Sequence, residues 1–336
     1  MDHDALNIGL SDIKSVAERI SEMNDLEERK AIAAKVLSFG VPFLDRALDG
    51  ILPSDLIILG ARTGAGKTEL ASLIAQSNAL KGKRVHYFAL EADKNEIERR
   101  IKYRLVCDQL FKTGLGSGVK NLNYPSWFLA QLAEASPAIE LTADVMMKAQ
   151  LRTLFTVYRG AKFDADELAR NCLAIQSQTD LIIIDHLHYI DSDDPNENRG
   201  YKTIVKTVRD CALATGKPVV LVAHIRKTDR RSPNPIPSIE DFHGSSDITK
   251  IATKCIMLAS AYKTGQLAPY LLPTFISPVK YRMGGSARTN YVGVCDFNIK
   301  TNAYETDFRL GKISHLTHEF EQCTDADIPH WARGSQ

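Results

Sequence analysis

One stretch of the sequence, ARTGAGKT at residues 61–68, constrains the fold more than any other. It follows the apolar run at residues 56–59 and precedes a segment with helical periodicity, so we expect it to join a strand to a helix. The stretch fits the spacing of a phosphate-binding loop, with alanine in place of the first glycine. Glycines let backbone N–H groups turn toward a phosphate, and the helix N-terminus adds its positive dipole end. The sequence therefore predicts a nucleoside triphosphate site, and the alternative is a purely structural turn.

The side chains of this loop supply groups that suit ATP and Mg²⁺. Lys67 can reach the β- and γ-phosphates, and the hydroxyl of Thr68 can be a ligand of Mg²⁺. The predicted nucleotide-contacting residues are Ala61, Arg62, Thr63, Gly64, Ala65, Gly66, Lys67, Thr68 and Glu69.

Three predicted strands end in a polar residue: Glu91 closes HYFALE, Asp185 closes LIIID and His224 closes PVVLVAH. Because the carboxyl ends of parallel strands meet at one edge of a sheet, we expect these side chains to line one crevice. Asp185 is predicted to hold Mg²⁺. Glu91 is predicted to orient the attacking water, the alternative being a helix cap. His224 is predicted to sense the γ-phosphate, although a lone histidine is more often a core residue.

Apolar runs alternate with helix-length segments as far as residue 275, which predicts an α/β fold with a mainly parallel sheet flanked by helices. The closely spaced runs FISPVKYR, NYVGVCDFNI and AYETDF then predict antiparallel edge strands at the C-terminal end. Within residues 1–37, apolar residues at helical spacing predict an amphipathic helix that needs a partner surface. These residues are Leu10, Ile13, Val16, Ala17 and Ile20. Residues 38–310 are predicted to form the main domain and residues 311–336 a polar tail.

Composition excludes several classes of protein. Hydrophobic content of 44% and charged content of 25% are ordinary for a globular chain, and no apolar run approaches the roughly 18 residues of a membrane span. The N-terminus lacks a signal-peptide pattern, so we expect a cytoplasmic protein without a membrane partner. The net charge of +1 gives no overall attraction to nucleic acid. The six cysteines lack metal-binding spacing, which favours reduced thiols over a metal site.

Several stretches, in this order, resemble the RecA-type motor domain of DnaB-family replicative helicases. The resemblance covers roughly residues 38–308. It rests on the segments SFGVPFLDRALDGILPSDLIILGARTGAGKT, FALEADKNEIERRI, DELARNCLAIQSQTDLIIIDHLHYID, NENRGYKTIVKTVRDCALATGKPVVLVAHIRK, IEDFHGSSDITKIATKCIML and VKYRMGG. It implies a RecA-like P-loop NTPase core that assembles as a homo-hexamer.

The resemblance also implies roles for particular residues. The glutamate matching Glu91 is the catalytic base, and the aspartate matching Asp185 serves Mg²⁺. The basic residues Lys280 and Arg282 reach the γ-phosphate held by the neighbouring subunit, so ATP is hydrolysed at subunit interfaces. The alternative is that VKYR is an edge strand with solvated cations. The N-terminal helix would dock on the adjacent subunit.

Two segments, 226–231 and 241–247, are candidates for lining a central channel that holds single-stranded DNA. Basic side chains and backbone N–H groups there suit sequence-independent contact with phosphates, and the alternative is a solvated surface. The candidate DNA-contacting residues are Arg226, Lys227, Arg230, Arg231, His243, Gly244 and Ser245. The chain departs from the family in the second segment, where DFHGSSD replaces DLRESG. It also departs after LIIID, where HLHYID replaces the usual YLQLI.

We therefore expect an ATP-dependent hexameric helicase that translocates on single-stranded DNA during replication, with a replication initiator or loader protein as a possible partner. A second hypothesis is a RecA-type ATPase that assembles for partner loading, signalling or defence without unwinding. The altered loop and the shortness of residues 1–37, too few for the family's accessory domain, support it. A third, a nucleotide-binding scaffold without turnover, is disfavoured by Glu91 and Asp185.

Overall fold

The computed structural model describes residues 14–160, 162–225, 234–237, 241 and 246–333. Within these residues ten strands form one sheet. In chain order the strands are β1 (Leu56–Ala61), β2 (Val85–Ala89), β3 (Leu154–Tyr158), β4 (Leu181–Asp185), β5 (Val219–His224), β6 (Lys254–Ser260), β7 (Leu271–Tyr281), β8 (Val292–Asn298), β9 (Ala303–Ile313) and β10 (Phe320–Gln322).

The helices of the described chain pack mainly on the two faces of this sheet. They are α1 (Val16–Glu22), α2 (Asp25–Ala33), α3 (Pro42–Leu48), α4 (Lys67–Ala79), α5 (Glu96–Lys112), α6 (Tyr124–Phe128), α7 (Pro137–Gln150), α8 (Ala165–Ile175), α9 (Glu197–Thr215), α10 (Ser246–Ile251) and α11 (Ser286–Thr289). Apolar residues of α3, α4 and α5 build the core on one face, and those of α8 and α9 build the core on the other. No helix of the described ranges is both long enough and apolar enough to cross a bilayer.

The strand order across the sheet is β10-β9-β8-β7-β6-β1-β5-β4-β2-β3. The six strands from β6 to β3 in that order run parallel, and β7 to β10 are antiparallel. Every residue of β1, β2 and β4 is buried, as expected for parallel strands covered by helices on both faces. The predicted α/β fold with antiparallel C-terminal strands is confirmed.

The sheet continues past residue 310, where the sequence predicted the start of a polar tail. Strand β9 runs through to Ile313, and Phe320 of β10 pairs with that residue. Further along, the Trp331 ring packs against Phe43 and Tyr291, and the side chain of Arg46 donates a hydrogen bond of 2.8 Å to the carbonyl of Ala332. The described part of this segment is therefore packed onto the domain, because a few apolar anchors suffice to hold an otherwise polar sequence.

Of the N-terminal amphipathic helix that the sequence predicted, the described residues contain α1, which carries Val16, Ala17 and Ile20. The described part of that region forms two short helices, α1 and α2, separated at Met23 and Asn24, and neither contains a buried residue. Val16 is 76% exposed and Ile20 is 66% exposed. Leu10 and Ile13, from the same predicted stripe, lie outside the described residues.

Candidate nucleotide-binding site

The phosphate-binding loop leaves the end of β1 at Ala61 and enters α4 at Lys67. Gly64 and Gly66 have φ angles of +78° and +84°, in the left-handed region that glycine adopts at little cost. A Cβ atom at Gly66 would also collide with the hydroxyl of Tyr304. The glycine is thus required by both backbone conformation and space, and the loop presents its backbone toward the cavity beside it.

The ammonium of Lys67 is held against its own loop. Its Nζ donates to the carbonyl oxygens of Ala61 at 3.2 Å and Arg62 at 3.0 Å, and it lies 3.1 Å from Nδ1 of His224. Burial lowers the pKa of Lys67, and the carboxylates of Asp185 and Glu91 act in the opposite direction. The ammonium of Lys67 therefore makes contacts that a bound phosphate can replace.

Asp185, at the end of β4, is a buried carboxylate with one oxygen satisfied. Its Oδ2 accepts a hydrogen bond of 2.7 Å from the hydroxyl of Tyr87, whereas its buried Oδ1 has no hydrogen-bond partner among the described residues. Burial raises the pKa of Asp185, and the side chains of Tyr87, Thr68 and Lys67 oppose that change. An unsatisfied carboxylate oxygen beside a threonine hydroxyl fits the all-oxygen ligand preference of Mg²⁺.

The sheet brings the polar strand ends together around one cavity of about 560 Å³. The register places Ala61 opposite His224 and Ala89 opposite Asp185, and Glu91 follows two residues after Ala89. The cavity is lined by Thr63, Gly64, Gly66, Lys67, Thr68, Glu69, Glu91, Ala92, Asp93, Glu96, Arg100, Asp185, Tyr189, His224, Phe297 and Asn302. Its size suits a nucleotide, and its cationic, carboxylate and histidine groups converge at the phosphate-binding loop.

A cluster of histidines, which the sequence reasoning missed apart from His224, lies behind Glu91. His186 follows Asp185 through a cis peptide bond, and its ring meets that of His224 edge-on at 4.2 Å. Burial lowers the pKa of His186 to about 3, and His224, His188 and Lys67 add to that effect. The imidazole of His186 is therefore neutral at neutral pH. For Glu91, burial raises the pKa, and the charge of Asp185 raises it further.

Glu69 was predicted from the sequence to contact the nucleotide. It lines the cavity, but its carboxylate forms ion pairs with two arginines. Arg100 and Arg104 of α5 both form ion pairs with it, and the amide of Asn302 donates to it at 2.9 Å. Arg100 and Asn302 reach the cavity wall from other elements and were not identified from the sequence. The glutamate therefore positions α5 and its Arg100 beside the phosphate-binding loop.

Lys280 and Arg282 are not at the cavity of their own chain. Lys280 lies opposite Cys255 near the start of β6, and its Nζ donates to the carbonyls of Thr249 at 2.6 Å and Lys250 at 3.1 Å. Arg282 is exposed. Ala61 pairs with Leu258 and Lys254 pairs with Tyr281, so Arg282 lies roughly 16 Å along the strand direction from the loop. Neither residue lines the cavity at the phosphate-binding loop of its own chain.

The candidate DNA-contacting residues named above, from Arg226 to Arg231 and from His243 to Ser245, all lie outside the described residues. The described elements that flank them are β5, which ends at His224, and α10, which begins at Ser246.

Comparison with known proteins shows the family of this chain. Residues 37–269 match the model for the DnaB-like helicase C-terminal domain. The replicative DNA helicase DnaB of Treponema pallidum (strain Nichols) is 26% identical over 225 residues, which are 66% of this chain and 47% of that protein. The chain thus spans about half the length of this curated relative.

Two solved structures share the fold. One is described as the ATPase domain of G40P, with a TM-score of 0.67 and 16% identity, covering 87% of this chain and 99% of that one. The other is described as a DnaB-like replicative helicase and its interactions with primase. It has a TM-score of 0.65 and 16% identity, and the match covers 87% of this chain and 67% of that one. The family model confirms the resemblance inferred from the sequence, and the two solved structures confirm the predicted fold.

Proposed function

The chain belongs to the family of DnaB-like helicase C-terminal domains, and from this membership we propose that it is an ATP-hydrolysing motor. It assembles as a homo-hexamer, translocates on single-stranded DNA and separates the strands of a duplex during replication. The observation that carries the proposal is the convergence of Lys67, Asp185 and Glu91 on one nucleotide-sized cavity beside a glycine loop.

ATP binds with its phosphates on the loop at residues 61–68. Lys67 exchanges its contacts with the carbonyls of Ala61 and Arg62 for the β- and γ-phosphates, since a charged phosphate oxygen is a stronger acceptor than a carbonyl. The Thr68 hydroxyl and the unsatisfied oxygen of Asp185 would hold Mg²⁺. When bound, Mg²⁺ neutralises charge on the phosphates.

Glu91 acts on the attacking water. It follows β2 at the open mouth of the site, where its side chain is 45% exposed and can reach a water in line with the γ-phosphate. Its raised pKa brings the carboxylate closer to the working pH, which suits a general base. His224 senses the γ-phosphate, because the lysine that now contacts its Nδ1 is the one that the phosphate attracts.

Hydrolysis takes place between subunits. Arg282 is exposed just after β7, at the end of the strands opposite the loop, so it can complete only the site of another copy, as expected for a head-to-tail ring. Lys280, bonded to the carbonyl end of α10, stiffens the base from which Arg282 projects and adds positive charge. The exposed α1 and α2 are the segments proposed to dock on a neighbouring subunit.

Single-stranded DNA is the proposed track, gripped through phosphates by the segments between β5 and α10. A replication initiator or loader protein is proposed as a partner that places the ring on DNA. A primase is a further proposed partner, by analogy with the solved relative that interacts with one.

The experiment is a paired assay of ATP hydrolysis with and without single-stranded DNA and of strand separation on a forked duplex, with the assembly sized by mass photometry. We expect hexamers, hydrolysis stimulated by single strands, and unwinding that Lys67→Ala abolishes. A ring whose hydrolysis ignores single strands and that never opens the fork would instead support the alternative, an ATPase that assembles without unwinding.

A further inference from the structure

His186 is a buried imidazole whose protons can be assigned. Its side chain is 1% exposed, and its Nδ1 accepts a hydrogen bond of 3.2 Å from the backbone N–H of His188. A neutral imidazole has one donor and one acceptor nitrogen, so accepting at Nδ1 puts the proton on Nε2. The backbone of the turn that follows β4 therefore fixes the tautomer of this histidine.

The Nε2 atom of His186 lies beside the carboxylate of Glu91. The Nε2 atom lies 2.8 Å from Oε2 of Glu91, although the angle in this conformation is too bent for a hydrogen bond. A buried N–H without an acceptor costs about 1–3 kcal/mol, whereas the Glu91 carboxylate is partly exposed and can rotate. The Glu91 carboxylate is the group that can satisfy this donor, because its side chain is partly exposed whereas the ring of His186 is buried.

The same geometry argues against a metal ion at this point. Ligand atoms of Glu91, His186 and His224 lie within 4.8 Å of one another, a grouping that could suggest a transition-metal site. A metal ion needs the lone pair of a ring nitrogen, and the tautomer fixed by His188 leaves His186 with a proton on the nitrogen that faces the cluster. His186 therefore offers the Glu91 carboxylate an N–H donor and offers no lone pair to a metal ion.

We propose that His186 is a positioning residue for hydrolysis: its Nε2–H holds the Glu91 carboxylate in the orientation that activates water. This inference rests on the proposed function. His186 is itself fixed by the backbone of His188 and by edge-on contact with His224, so the orientation of Glu91 is tied to the residue proposed to sense the γ-phosphate. The HLHYID segment, where the chain departs from its family, is the part of the sequence that provides this donor.

The test compares His186→Phe, which keeps a ring but has no donor, with His186→Gln, whose amide N–H₂ reaches the position of Nε2. We expect the phenylalanine variant to lower kcat about tenfold or more, since the loss of one orienting bond of about 1.4 kcal/mol has that effect, while KM for ATP stays within about twofold. The glutamine variant should recover kcat to within about threefold of the unmodified protein. His86→Phe, which replaces a buried histidine that stacks on Phe155 and does not line the cavity, is the matched control, with kcat unchanged.

A double-mutant comparison separates this inference from the proposed function. In a Glu91→Gln background, His186→Phe should cause no further loss, because the group that it orients is absent. The inference is overturned if the glutamine and phenylalanine variants are equally impaired, if His186→Phe keeps full kcat, or if it changes KM alone. Unmodified protein that does not hydrolyse ATP would instead overturn the proposed function. If His186→Phe does not fold, as judged by thermal unfolding, His186→Met replaces it in every comparison.

Discussion

Tyr87 and Asp185 form a diagonal pair on neighbouring parallel strands, joined by a hydrogen bond of 2.7 Å from the tyrosine hydroxyl to Oδ2 of the aspartate. The bond occupies one oxygen of a carboxylate that lines the cavity and leaves the other, Oδ1, without a hydrogen-bond partner among the described residues. A tyrosine of the core thus determines the orientation of Asp185, the residue proposed to hold Mg²⁺.

Removing that bond should weaken the use of Mg²⁺. Tyr87→Phe leaves the ring in place but deprives a buried carboxylate of its donor, and the pKa of Asp185 should rise further. We expect the Mg²⁺ concentration for half-maximal hydrolysis to rise about tenfold, as for a charged hydrogen bond of about 1.5 kcal/mol. The measurement is a Mg²⁺ titration of ATPase activity. Tyr103→Phe, a buried tyrosine that donates to the carbonyl of Lys300, is the control, and an equal response in both variants would contradict the account.

The acid side of the pH profile should reflect Glu91. Burial and the charge of Asp185 raise the pKa of Glu91 above its ordinary value of 4.5. A general base works when deprotonated, so activity is present above the raised pKa and is lost as the pH falls through it. We expect kcat/KM for ATP, which reports the enzyme before nucleotide binds, to decline at a pH higher than 4.5 wherever circular dichroism shows a folded protein. A decline confined to lower pH would contradict the assignment, as would a Glu91→Gln variant with the unmodified profile.

A buried ion pair away from the site gives a prediction about stability. Lys254 is 1% exposed, and its Nζ donates to Asp55 at 2.6 Å and to the carbonyl of Gly50 at 2.8 Å. Asp55→Ala would leave the ammonium buried with one neutral acceptor, so we expect the free energy of unfolding to fall by about 3–5 kcal/mol. Lys254→Met should cost less, because Asp55 keeps donors in the Thr253 hydroxyl and the Leu52 N–H.

Urea denaturation of both variants measures this difference. Arg170→Ala, which removes one member of an exposed pair with Glu167, is the control and should change the free energy of unfolding by at most about 1 kcal/mol. The assignment of the pair would be wrong if Lys254→Met proved as destabilising as Asp55→Ala.

The sequence was sufficient to predict features that depend on residues close together in the chain. The continuous apolar runs of β1, β4 and β5 predicted the parallel sheet, because burial on both faces requires such runs, and the glycine pattern predicted a turn between β1 and α4. Strand β3 was not predicted, since LFTVY lies at an edge of the sheet and is only partly buried. The packing of Trp331 was also not predicted, because it depends on residues far away in the chain.

The parts of the site that the sequence did not predict depend on how neighbouring strands align and how helices pack. Tyr87 meets Asp185 only because Ala89 lies opposite that aspartate, and Arg100 reaches the cavity only because α5 is fixed by Glu69. His186 was visible as a departure from the family motif, but its contact with Glu91 depends on how two strands align. Local patterns identify residues with suitable chemistry, whereas the partners of those residues are set by tertiary structure.

The most direct test of the account is complementation between two inactive variants in one ring. Lys67→Ala removes nucleotide binding but keeps the cation of Arg282. Arg282→Ala removes that cation but keeps an intact phosphate-binding loop. Each alone should lose at least about a thousandfold in ATPase rate, as for removal of an arginine finger. In co-expressed, doubly tagged mixed rings, about a quarter of the interfaces combine an intact loop with an intact cation, so activity should return well above the sum of the two variants. Mixed rings that stay inactive, or an Arg282→Ala protein that is fully active by itself, would contradict a site completed by a second copy of the chain.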